Sequence, residues 1–213
     1  MIIGIDQSMK STAVVALNLK GEMVDFGLII PPSSLNKEET IHYIWEPLYF
    51  TIGKNYGVIK GIAIEGLAFS AFGNTKDLLY GIQWYVRTRL KVEFPEILVG
   101  VINVQTWRSC ILTREEQRLY KTKYGKIGLK IGVVEKLPNE IKMQFDKYLE
   151  LNKDEINACR VKDWKPGCKS KKYLESMYDL ADAWGIATHR LKLYNTTHKI
   201  NETVSSTLKF NRR

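Results

Sequence analysis

Residues 2–18, IIGIDQSMKSTAVVALN, decide how this chain is read. The β-branched run Ile2-Ile3-Gly4-Ile5 predicts a strand that stops at Asp6. After polar Gln7, Ser8 and Lys10 the apolar run resumes from Thr12 to Leu17 as a second strand. Lys20-Gly21-Glu22 supplies the next turn, and Met23 to Ile30 a third strand closed by Pro31-Pro32. The pattern is an antiparallel meander with an acid at the end of its first apolar strand.

Working outward, residues 37–52 carry helical spacing, with Ile41, Ile44, Trp45, Leu48 and Tyr49 on one face. Val58 to Ile64 predicts a further buried strand, ending at Glu65-Gly66. The loop LAFSAFGN follows, and Asn74 with Asp77 forms an approximate capping box for a helix from Thr75 to about Lys91. Leu78, Leu79, Ile82, Val86 and Leu90 are its apolar stripe. Trp84 and Tyr85 lie off that stripe, which suits either a dimer face or a helix buried on two sides. Pro95 breaks the helix, and Ile97 to Val104 reads as another strand. From about 108 to 172 the pattern predicts an irregular basic insertion, with short helical stretches around 106–120 and 139–150 separated by YGKIGLKIG. The last clear helix runs from about Lys172 to Leu193, with Leu174, Met177, Tyr178, Ala181 and Trp184 on its apolar face. Residues 1–193 are thus expected to form one domain, and 194–213 a flexible, polar, basic tail. Three strands followed by strand–helix alternation predict an α/β fold, a mixed central sheet with helices on both faces.

The chain has 213 residues, 45% hydrophobic and 26% charged, which excludes disordered and collagen-like classes and allows a proper core without disulfide or zinc staples. Nowhere do 18 apolar residues run together, so no membrane partner is expected. MIIGIDQSMK has no basic segment ahead of an apolar stretch, which argues against a secretory signal. Cys110, Cys159 and Cys168 are scattered, without common zinc spacing, and suit free thiols in a reducing cytoplasm. Thirty-two Lys plus Arg against 23 Asp plus Glu give a formal charge of +9, which raises the odds of a polyanionic partner. The excess gathers in two clusters. One spans Arg114, Arg118, Lys121, Lys123, Lys126, Lys130 and Lys136, interleaved with Tyr120 and Tyr124. The other holds Arg160, Lys162, Lys165, Lys169, Lys171 and Lys172 around Trp164.

Acids stand where a sheet protein normally avoids them. Asp6 ends one apolar strand and Glu65 another, and Asp179 and Asp182 project from one face of the last helix. An acid at a strand end often serves a turn, and an Asp pair on a helix is often solvated. Four carboxylates brought together, however, cannot all ionise without a counter-charge. Mg²⁺ resolves this by taking carboxylate oxygens while keeping waters for a phosphate substrate. Two such ions about 3.5–4 Å apart can stabilise both oxygens of a phosphodiester displacement.

GIDQSMKSTAVVAL resembles the opening of the RNase H-like nucleases. IAIEGLAFSAFGNTKDLLYGIQWYVR is similar to the second motif of the RuvC Holliday-junction resolvases, including their phage-encoded relatives, and YDLADAWGIATHR resembles that family's closing motif. The three motifs occur in the family's order. The resemblance implies an RNase H-like nuclease domain, a homodimer, and Mg²⁺-dependent nicking of four-way and other branched DNA during recombination and repair, with two ions per site and Mn²⁺ able to substitute. It makes Asp6, Glu65, Asp179 and Asp182 the catalytic metal ligands. The family's catalytic lysine falls among Lys123, Lys126 and Lys130, and the basic residues of the insertion, Lys121 included, would grip DNA. Phe69 or Phe72 would be the aromatic presented at the junction, where stacking on a base is worth roughly 1–3 kcal/mol; packing under the loop is the alternative for either.

Trp107 after the fifth predicted strand reads as core, and Arg108 as a phosphate contact. His189, seven residues beyond Asp182, shares roughly its helix face and suits a structural hydrogen bond. Two other readings remain. GIDQSMKST also resembles the first phosphate loop of actin-like ATPases and sugar kinases, although no second glycine-rich loop follows. A non-catalytic junction-binding recombination protein would carry the same acids as structural residues.

Overall fold

The computed structural model describes residues 1–66, 74–159 and 171–210. Five strands, β1 (Ile2–Asp6), β2 (Thr12–Leu17), β3 (Met23–Ile29), β4 (Gly61–Glu65) and β5 (Val99–Ile102), form one mixed sheet in the order β3-β2-β1-β4-β5. β1 pairs antiparallel with β2 and parallel with β4, and β5 joins β4 in parallel. The first three strands stand within a residue of their sequence reading. β4 starts later than expected because Tyr56–Val58 forms a single 3-10 turn, and β5 is shorter at both ends.

The alternation of side chains along the strands creates two cores. On one face Ile3, Ile5, Val14, Ala16, Ile62 and Ile64 meet α1 (Lys37–Lys54) and α2 (Asn74–Glu93). Asn36 and Glu39 close a capping box at the start of α1, which buries Ile44, Trp45, Leu48 and Ile52 at helical spacing. Ile82, Val86 and Leu90 of α2 complete that layer, while Tyr85 packs its ring toward Trp45 and His42 and Trp84 turns outward. The Asn74–Asp77 capping pair lies outside the described side chains.

On the other face Ile2, Ala13, Val15, Leu17 and Ala63 meet α8 (Lys171–Phe210). Gly4 is where strand and helix come closest. A Cβ there would stand 2.3 Å from the Ala183 carbonyl oxygen and 2.5 Å from the Ala187 nitrogen. No side chain fits between these two backbones.

Two expectations are corrected. The segment expected to be irregular carries the helical stretches foreseen around 106–120 and 139–150 and is largely helical up to Cys159: α3 (Val104–Ile111), α4 (Arg114–Tyr124), α5 (Gly128–Glu135), α6 (Asn139–Leu151) and α7 (Lys153–Cys159). Its glycines were read as loop residues, but Gly128 and Gly132 are packing positions, where a Cβ would stand 2.1 Å from the Tyr120 carbonyl and 2.8 Å from the Tyr120 ring. Only Gly125, at φ +65°, serves the turn between α4 and α5. The segment expected to be a flexible tail is helical through residue 210, as the continuation of α8. The basic cluster from Arg160 to Lys169 lies outside the described residues, as do Phe69 and Phe72. Among the described residues no helix is long and apolar enough to cross a membrane.

Candidate active site

The parallel register of β1 and β4 pairs Ile5 with Ile64, so Asp6 and Glu65 follow side by side at the same sheet end. Both point to the α8 face, because Ile5 and Ile64 belong to the opposite core. The close approach at Gly4 brings α8 onto this end, and Asp179 and Asp182 come with it. The other three acids lie within electrostatic reach of Asp6: burial first, then the charges of Glu65, Asp182 and Asp179, hold the Asp6 carboxyl well above the ordinary range. Asp182, 2% exposed, is raised to about 6, again chiefly by burial, with Lys130 and Arg108 opposing the shift.

Each acid has its own support. The Trp107 indole Nε1 donates to Glu65 Oε1 at 3.1 Å, and Gln83 Nε2 donates to the Glu65 carbonyl at 2.9 Å. The Ser11 hydroxyl, in the β1–β2 turn, donates to Asp179 Oδ2. Arg108 Nη2 stands 3.2 Å from Asp182 Oδ2, so the residue expected on a phosphate points inward to an acid. Lys130, on α5, reaches both helix acids, with Nζ 3.5 Å from Asp179 Oδ1 and 3.6 Å from Asp182 Oδ2. Burial alone would lower its pKa, but Asp182, Asp179, Asp6 and Glu65 together raise it. Lys121, Lys123 and Lys126 are exposed on the α4–α5 hairpin, away from the carboxylates. His189 has Lys192 and Arg190 as its charged neighbours, and these and its burial lower its pKa.

Sequence reasoning gave Trp107 its buried place but not its hydrogen bond, and it gave Ser11 no role. The signal for Ser11 is its position in the short turn after the first acid. Gln7, following Asp6, is buried with neither side-chain amide atom partnered among the described residues.

The donor set has the chemistry of a hard-cation site: four carboxylates, with the buried Asp182 Oδ1 lacking a hydrogen-bond partner among the described residues. Among the described residues no three acids, histidines or cysteines stand where they would jointly hold a metal ion. Lys130 and Arg108 supply the positive charge instead.

No protein-family model and no curated protein matches the sequence. Solved structures do. A Thermus thermophilus RuvC in complex with Holliday junction substrate superposes with a TM-score of 0.50 at 12% identity, covering 88% of this chain and 90% of that one. Another Thermus thermophilus RuvC structure gives 0.50 at 13%, covering 88% and 91%. The fold is RuvC-like. At this identity the likeness speaks for architecture alone, namely the RNase H-like sheet in which β1 and β4 end side by side under the last helix. In a RuvC-like frame the order of elements accounts for the distance between the acids in sequence, since the central strands and the closing helix supply them from both ends of the chain.

Proposed function

We propose that this protein is a divalent-metal-dependent endodeoxyribonuclease that nicks four-way junctions and related branched DNA as a homodimer. The observation that supports it most is the meeting of Asp6, Glu65, Asp179 and Asp182 at one sheet end of a RuvC-like fold. Asp6, Glu65, Asp179 and Asp182 would hold Mg²⁺, or Mn²⁺ in its place. A bound divalent cation supplies Lewis-acid charge at the phosphate oxygens.

The chain's own residues do the positioning. Trp107 fixes the Glu65 carboxylate, Ser11 orients Asp179, and Arg108 holds Asp182 at the edge nearer α3. The exposed Lys121, Lys123 and Lys126 suit the phosphate backbone, which makes binding steeply salt-dependent. Trp84, 60% exposed on α2 with the Arg87 guanidinium 4.9 Å from its ring, suits the interface of a dimer. Two sites related by a two-fold axis match the approximate symmetry of a four-way junction.

The test is cleavage of a labelled synthetic four-way junction beside linear duplex and single-strand controls, in Mg²⁺, Mn²⁺ and EDTA. Paired, metal-requiring nicks confined to the junction are expected. Cutting of forks and flaps as well would widen the substrate, and junction binding without nicking in any metal would overturn the nuclease reading.

A further inference from the structure

The two cations at the carboxylates are held differently. Arg108 is stacked with its guanidinium 4.9 Å from the centre of the Trp107 ring, and its side chain is only 16% exposed. Trp107 in turn is locked over Gly185 of α8, where a Cβ would stand 2.7 Å from the indole. Lys130 has no such frame. Its ammonium stands beyond ordinary hydrogen-bond distance from both partners, at 3.5 and 3.6 Å, and its side chain is 37% exposed. The neighbouring Tyr178 ring centre is 6.0 Å away. Lysine is a compact, strongly hydrated charge on a flexible four-carbon stem, so it leaves at lower cost than a stacked guanidinium does. Both cations reach Asp182 Oδ2, while Asp182 Oδ1 is buried and without a hydrogen-bond partner among the described residues.

The charges favour a replacement. Four carboxylates against Lys130 and Arg108 leave a formal −2, and a divalent ion in place of Lys130 leaves −1. The ion would also bind the oxygens at contact distance and supply the partner that Asp182 Oδ1 lacks.

We propose that Lys130 is a resident counter-ion for the carboxylate set in the metal-free protein, displaced from between Asp179 and Asp182 when a divalent cation enters. This rests on the metal-dependent function proposed above. Lys130 bridges Asp179 and Asp182 in the metal-free arrangement. The released ammonium joins Lys121, Lys123 and Lys126 on the α4–α5 hairpin, so metal occupancy adds a cation to the surface proposed to grip DNA.

The measurement is Mn²⁺ binding by electron paramagnetic resonance, without DNA, on the full chain and on Lys130→Met, Lys130→Arg and, as a charge control, Lys54→Met. Removing a competing unit charge a few ångströms from the ligand oxygens should tighten Mn²⁺ binding of Lys130→Met roughly tenfold. Lys130→Arg, whose planar fork can pair with both acids, should bind Mn²⁺ more weakly than the parent. Lys54→Met should match the parent. In EDTA Lys130→Met should melt lower, and Mn²⁺ should raise its Tm more than the parent's. A folded Lys130→Met that binds Mn²⁺ no more tightly than the parent overturns the proposal, as does tighter binding by Lys130→Arg. The nuclease reading fails separately. If Lys130→Met binds more tightly but the parent nicks no branched DNA, the counter-ion role stands and the proposed substrate falls. If the parent binds no Mn²⁺, both fall.

Discussion

Along β1, Ile3 and Ile5 face α1 and α2, while Gly4 and Asp6, one residue out of step, face α8. The first face is closed by large aliphatic side chains, Ile44, Leu48, Ile62 and Ile82 among them, and is apolar to its end. The second is closed at Gly4 by direct backbone approach and ends in four carboxylates and two cations. The same alternation of the pleat that builds a core on one side builds a charged centre on the other. The difference teaches that the two faces have separate tasks: the apolar one supplies stability, and the α8 one spends some of it on holding charge out of water.

The largest test of that division is Glu65→Gln. Losing an outer-shell partner of a metal can already cost roughly 100-fold, so losing a ligand should cut junction nicking by at least about that much, with junction binding and Tm close to the parent's. A Tm drop to match the activity loss would instead make Glu65 a structural residue. Next in size is Gly4→Ala, which puts a methyl group against two α8 backbone atoms. Overpacking of this kind costs about 1–3 kcal/mol, and denaturant melts should show it together with lost nicking, because Asp179 and Asp182 move with the helix.

Asp6→Asn should separate the faces with the opposite sign. Asp6 and Asp182 are carboxyls whose folded pKa values lie above their unfolded ones, so their contribution to the stability of the metal-free protein is fully present below about pH 4. That contribution is lost as pH rises, the share of Asp182 between about 4 and about 6. Removing Asp6 removes part of that loss. Thermal melts in EDTA should therefore place the variant a few degrees above the parent at pH 7.5, roughly the shift expected of about 1 kcal/mol in a chain of this size, with the gap closing below pH 4. An equal or lower Tm at pH 7.5 would deny that the four acids repel one another. The smallest effect is expected on the other face: Ile5→Val should cost about 1 kcal/mol of stability and leave nicking at the parent's rate.

What the sequence disclosed follows the same line. β1, β2 and β3 were legible because β-branched runs broken by polar turns have few other readings, and Asp6 and Glu65 were visible as interruptions of such runs. α5 was illegible because Gly128 and Gly132, which admit Tyr120, look like loop residues when their packing partner is unknown. With α5 went Lys130, readable only as one basic residue in a cluster until the fold set it against Asp179 and Asp182. The place of Arg108 beside Asp182 was hidden for a related reason: a cation's partner depends on contacts 74 residues away in sequence.

α8 also has the proportions of a lever. Its tightest contact, where Ala183 and Ala187 meet Gly4, is a fulcrum set beside the acids. From Ala183 the arm to Asp179 is about 6 Å and the arm to Phe210 about 40 Å, at the α-helical rise per residue. A swing of the long arm therefore reaches Asp179 reduced about sevenfold. On those proportions, several ångströms at the far end of a rigid helix correspond to a fraction of one at the carboxylates.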